Sequence, residues 1–168
     1  MASFHQQLQD SLPDLWRYAF ALTRDRVRAD DLVQDCAERA LRKRALWLPG
    51  RPLKPWLMKM LLNILRNDHA RAAGRTMVAF EDELAEARPL IDTEGRLELA
   101  ATMRALERLP REQREALLLV TVGGLDYGDA AEALGIPAGT LMSRLSRARA
   151  RLRKWREEGQ QPSVRSIS

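Results

Sequence analysis

The sequence predicts an all-α protein made of two small helical domains joined by a flexible linker. Three observations carry that prediction. Leu, Ala and Arg, which are good helix formers, dominate the chain, while aromatic residues make up only 5% of it. Apolar residues return every third or fourth position instead of alternating. Two such periodic stretches flank an acid-rich interval that also holds Pro89 and Gly95. The boundaries read as a first module at 1–74, an acidic linker at 75–98, a second module at 99–158 and a disordered tail at 159–168.

Each element follows from its own pattern. Leu12, Leu15, Trp16, Ala19 and Leu22 keep the rhythm of one helix. A second runs from about Ala29 to Leu46, with Leu32, Val33, Cys36, Ala37, Ala40 and Leu41 on its apolar stripe. WLPGRPLKPW then interrupts it, because three prolines and a glycine forbid a continuous helix and make a stiff loop. Pro55 suits the first position of a third helix, where its missing N–H costs nothing. That helix turns Trp56, Leu57, Met60, Leu61, Ile64 and Leu65 inward and leaves Lys59, Asn63, Arg66 and Asn67 on another side.

From Phe80 to Glu98 there are seven acids against two arginines, which reads as a flexible linker or, in part, a short solvated helix. In the second module Leu106 and Leu109 end one helix. Pro110 opens the next, which runs to Val122 and stops at Gly123-Gly124. Asp126 caps DYGDAAEAL, Asp129 standing three places on in a variant of the capping box. Leu134-Gly135-Ile136-Pro137 is a tight turn with a left-handed glycine, and a last helix runs from about Ala138 to Arg156.

On that last helix Leu141, Leu145, Ala148, Leu152 and Trp155 form one packing seam. Arg144, Arg147, Arg151 and Lys154 run parallel to it, with Arg149 and Arg153 alongside. Like charges crowded this way repel unless a counter-charge arrives. A short helix, a glycine turn and a helix that begins small and polar make helix-turn-helix geometry, whose second helix enters the DNA major groove. Gly139 permits close backbone approach, and Thr140 and Ser143 offer short hydroxyls. Arg144 and Arg147 can reach guanine edges or phosphate, and Arg151 reaches backbone. A net charge of +5 and a pI near 10.0 agree with a polyanionic partner.

Composition also sets limits. The N-terminus MASFHQQLQD has no export signal, and WLMKMLLNIL is too short and too polar to span a membrane, so a cytoplasmic protein without membrane insertion is expected. Cys36 reads as a small core residue, and His5 and His69 lack a companion pattern for zinc. No nucleophile–base constellation or phosphate loop is visible, so neither an enzyme, a cofactor nor a small-molecule substrate is expected.

LERLPREQREALLLVTVGGLDYGDAAEALGIPAGTLMSRLSRARARLRKW resembles region 4 of the extracytoplasmic-function (ECF) group of bacterial RNA polymerase sigma factors. RADDLVQDCAERAL is similar to that family's region 2.2, and PWLMKMLLNILRNDHAR to regions 2.3 and 2.4. The resemblance covers roughly residues 10 to 156 and implies a two-point promoter reader. Region 4 would read the −35 element as duplex, through the residues Gly139 to Arg151 named above, and region 2 would melt and capture the −10 element as single strand. Asp31, Leu32, Gln34 and Asp35 would dock on the β′ clamp helices of core RNA polymerase, and region 4 on the β flap. Asn63 would stand near the pocket for a flipped −10 base, formed by the loop from Leu48 to Lys54 and bracketed by Trp47 and Trp56. Lys59, Arg66 and Arg71 would follow the strand. An anti-sigma factor is the implied controlling partner. The resemblance departs at Ala37, Gly128 and Ala130, each smaller than the family's usual residue. The alternative is a sigma mimic that sequesters an anti-sigma factor without touching DNA, although such a decoy has no use for a cationic last helix.

Overall fold

The computed structural model describes residues 2–74 and 93–160. Its described residues form seven α-helices and a short 3-10 turn, without strands. The expected flexibility of the linker and the expected disorder of the tail fall largely on 75–92 and 161–168, outside the described residues.

Helix α1 spans Phe4–Thr23, and the Ser3 side chain accepts the Gln6 N–H as its N-cap. It begins earlier than the spacing predicts and carries Pro13 inside it. Proline there removes one backbone donor and crowds the preceding turn, a cost borne because Leu8, Leu15, Tyr18 and Ala19 are buried around it. Helix α2 spans Arg26–Arg42 and is capped by Asp25, whose carboxylate accepts the Arg28 N–H. The predicted helix to Leu46 gives way at Lys43 to the 3-10 turn Arg44–Leu46. Helix α3 spans Leu53–Ala73, so the stiff loop is shorter than expected and Pro55 is the third helical residue, still among the first N–H groups that lack intrahelical acceptors.

Helix α4 spans Thr93–Arg108 and takes up the end of the predicted linker, Gly95 included. Helices α5 (Arg111–Thr121), α6 (Tyr127–Leu134) and α7 (Ala138–Gln160) follow the expected punctuation. The Asp126 side chain accepts the Asp129 N–H, and Gly135 ends α6 in the left-handed region at φ 67°. At Gly123 a β-carbon would stand 2.5 Å from the Leu119 carbonyl oxygen, so the α5 terminus requires glycine there.

Helices α1, α2 and α3 pack on one another, as do α5, α6 and α7. The two modules also meet directly, α1 on α5 and α3 on α6, and their buried residues form one contiguous apolar core. Met58 and Leu62 explain how. Both are fully buried beside Leu57 and Leu61, so α3 is apolar around most of its girth, the composition of a helix packed on more than one side. The Tyr18 hydroxyl, fully buried, donates to the Glu115 carbonyl oxygen across the junction at 3.1 Å.

Candidate functional site

The last helix presents two faces as its sequence requires. Leu141, Leu145 and Ala148 are fully buried, while Leu152 and Trp155 continue the seam half-buried. The Arg108 guanidinium lies 4.3 Å from the Trp155 ring centroid, a cation–π contact that ties α4 to the end of α7. Opposite the seam, Gly139, Ser143, Arg147 and Arg151 are exposed, and Thr140 and Arg144 are half-buried. Arg144 reaches Glu112 of α5 at 3.7 Å, and Arg149 donates to the Tyr127 hydroxyl at 3.4 Å. Arg147, Arg151 and Arg153 have no ion pair among the described residues, so their charge faces solvent. A β-carbon at Gly139 would meet open space, so the helix begins with an unobstructed backbone and a row of cations.

The loop and α3 form a second surface. Trp47, Trp56 and Lys59 line one cleft of about 370 Å³, with Arg51, Pro52 and Pro55 on the same side. Trp47 is held by an edge contact to Phe4 and by donating its Nε1–H to the Arg51 carbonyl oxygen at 3.2 Å. Asn63 and Arg71 are exposed further along α3. Arg66 is engaged: its Nη2 lies 2.8 Å from Glu115 Oε2. Helix α6 contributes Asp129, Glu132 and Ala133 to the lining of the same cleft. Burial raises the Asp129 carboxyl above its usual range, and the neighbouring charges of Asp126 and Glu132 raise it further.

A third surface lies on α2. Asp31 and Gln34 are exposed, while Asp35 is engaged by a bidentate ion pair with Arg39 at 2.8 and 2.9 Å. Leu32 is 3% exposed and packs into the core, so it supports this surface from beneath instead of lining it. Leu41, which its spacing places on the inward stripe, is instead 40% exposed, and Val27 is 70% exposed. Val27, Asp31, Gln34, Glu38 and Leu41 stand at alternating spacings of four and three on one outward stripe. The stripe has apolar ends and a polar centre.

Residues 99–152 match the family model for sigma-70 region 4, and residues 8–62 match the model for the sigma2 domain of PhyR. The ECF RNA polymerase sigma factor EcfG of Rhodopseudomonas palustris is 36% identical over 153 residues, which cover 89% of this chain and 83% of that protein. The chain belongs to the ECF sigma factors. SigM of Mycobacterium tuberculosis, also an ECF sigma factor, is 34% identical over 89% of this chain and 75% of its own. Among solved structures, the sigma factor RpoE of Bartonella quintana, in complex with the anti-sigma factor NepR, superposes with a TM-score of 0.70. It is 32% identical, and the match covers 92% of this chain and 96% of that one. CnrH, in complex with the cytosolic domain of CnrY, gives a TM-score of 0.69 at 26% identity over 92% of this chain and 88% of its own. The two-module helical architecture expected of an ECF sigma factor is therefore the architecture of this chain. Among the described residues no helix is long and apolar enough to cross a membrane, and no group of metal-ligating side chains is assembled.

Proposed function

We propose that this sigma factor binds core RNA polymerase and directs it to promoters carrying a −35 and a −10 element. The observation that carries the reading is α7: a buried apolar seam, an exposed cationic row and an open first turn at the second position of a helix-turn-helix. Gly139, Thr140, Ser143, Arg144 and Arg147 read the −35 duplex, and Arg151 holds its backbone. The cleft of Trp47, Trp56 and Lys59, with Asn63 and Arg71 along α3, takes the melted −10 strand by stacking and backbone contact. Arg66 joins it when released from Glu115. Asp31 and Gln34, within the α2 stripe, dock on the β′ clamp helices, and the second module docks on the β flap. Each contact surface is small, so the polymerase supplies the effective concentration that makes both DNA contacts productive.

Control by an anti-sigma factor is part of the proposal. It is supported by the complex of RpoE with the anti-sigma factor NepR, whose sigma subunit shares this fold. The match of the first module to the sigma2 domain of PhyR leaves the mimic reading open for that module alone. The full-length similarity to EcfG and SigM and the cationic α7 favour the sigma factor. In vitro transcription over genomic fragments, with core polymerase and this chain as the only specificity factor, tests the assignment. Starts downstream of a shared bipartite sequence are expected, and the absence of any transcript would leave the mimic.

A further inference from the structure

Helix α7 leaves one large apolar side chain exposed among the described residues, Met142 at 47%. It lies outside the seam of Leu141, Leu145 and Ala148 and, unlike Leu152 and Trp155, does not pack against the core. A single exposed apolar side chain is ordinary on a protein surface, so its position must give it meaning. Met142 stands in the second turn of α7, three residues after Gly139 and one before Ser143. Met142, Ser146 and Arg149 follow one another at spacings of four and three, and all three are exposed. Arg149 of this row donates to the Tyr127 hydroxyl of α6 at 3.4 Å, whereas Arg144, on the other side, reaches Glu112 of α5 at 3.7 Å. The exposed Gly139, Ser143 and Arg147 lie between these two flanks. Met142 therefore borders, on its α6 side, the surface proposed to enter the groove. Arg144, Arg147 and Arg149 stand within two turns of it, so the partner that covers it is a polyanion and not an apolar protein surface.

We propose that Met142 is a specificity-determining residue that reads one thymine of the −35 element through its 5-methyl group. The inference rests on the −35 assignment of α7 and deepens it by naming a base and the atom that identifies it. Among the groups that base pairs present in the major groove, the thymine methyl is the apolar one, the rest being hydrogen-bond donors and acceptors. Ser143, Arg144 and Arg147 answer those donors and acceptors. Met142 is the exposed large apolar side chain that answers the methyl. Its thioether is unbranched and polarizable, so it follows a methyl without needing a fixed hydrogen-bond geometry. Cytosine lacks that methyl, so the contact separates T·A from C·G at one position. Removing one methyl from an apolar contact costs about fourfold in affinity, the equivalent of about 0.8 kcal/mol.

Holoenzyme made from core polymerase and the full chain is titrated onto duplexes carrying the −35 sequence shared by its transcription starts. Each thymine of either strand is replaced in turn by deoxyuridine, which pairs alike and lacks only the methyl. Wild-type binding should weaken about fourfold at one position. Met142→Ala should bind the thymine duplex about fourfold more weakly and no longer distinguish thymine from deoxyuridine there. Met142→Leu, which keeps a large apolar side chain, should retain the distinction. Arg147→Ala should weaken binding yet leave the thymine-to-deoxyuridine ratio as it was. Wild type indifferent to deoxyuridine at every position, a −35 element without thymine on either strand, or Met142→Ala with the wild-type ratio would each overturn the proposal. Weaker binding of Met142→Ala to core polymerase itself would assign the side chain to a protein contact and overturn it as well. Holoenzyme that prefers no −35 duplex over unrelated DNA would instead overturn the −35 assignment beneath it.

Discussion

Gly139 lies in the first turn of α7, and among the described residues nothing occupies the space where its side chain would begin. Glycine in a helix is less stable than alanine by up to about 1 kcal/mol, so a helix position with no internal need of it points to a partner that comes close. Gly139→Ala should raise the midpoint of thermal unfolding slightly and weaken binding of the holoenzyme to a −35 duplex by about tenfold in a gel-shift titration. Cys36 is the opposite case, a side chain fully engaged from within. Its thiol is buried and donates to the Leu57 carbonyl oxygen at 3.4 Å. Burial first, and then the negative charge of Asp35, push its pKa up to about 12, against the pull of Arg39. At pH 8 only about one thiol in ten thousand is then ionised. The folded protein should leave Cys36 unmodified by an aromatic disulfide reagent, and full reaction should appear only in denaturant. Gly135 was legible in the sequence because a turn before proline needs a left-handed residue. Gly123 was legible only as a helix stop; that an added β-carbon would strike Leu119 required the backbone itself.

At the scale of single elements, α7 divides its cations by distance from its first turn. Arg144 and Arg147 stand near the end proposed to enter the groove, and Arg151 a turn beyond. Arg147→Ala should cost about 1–3 kcal/mol on one promoter sequence and relax discrimination at one base position. Arg144→Ala should do the same and also release Glu112. Arg151→Ala should weaken all duplexes alike and lower the slope of log affinity against log salt by about one. Competition binding across a set of −35 variants at several salt concentrations separates the two classes. The helix itself was readable because its seam and its charged row each keep one period. Helix α3 was read less well. Lys59, Asn63 and Asn67 are exposed and Arg66 half-buried, away from the inward stripe as its spacing predicts, but Met58 and Leu62, which lie outside that stripe, are also fully buried. The signal was in the sequence, in a helix too apolar for one buried stripe, but its meaning depends on a second body to pack against. On α2 the error ran the other way, since Leu41 fits the inward rhythm but sits on the last turn, where the chain leaves the bundle.

For the molecule as a whole, the two modules share one apolar core and should therefore unfold together. Tyr18 carries the clearest consequence, since its ring is fully buried in α1 while its hydroxyl serves a carbonyl of α5. Tyr18→Phe should cost about 0.5–1.5 kcal/mol by leaving that buried carbonyl without its donor. Urea unfolding should show a lower midpoint with an unchanged slope. Fluorescence from Trp16 in the first module and from Trp155 in the second, in variants that retain only one of them, should follow the same transition. Independent modules would leave the Trp155 transition where it was.

The sequence by itself determined the helices, the turns between them and the cationic α7, because periodicity, caps and glycine stops act over a few residues and need no distant partner. It also determined the family, through local patterns in both modules that keep their order along the chain. Only the tertiary structure decided how the modules meet. Arg66 and Glu115 are 49 residues apart, and no local rule sets one against the other. Folding brings them together because α3 and α5 each bury apolar surface at the same junction. A charge carried to its edge must then find an opposite charge or stay in water.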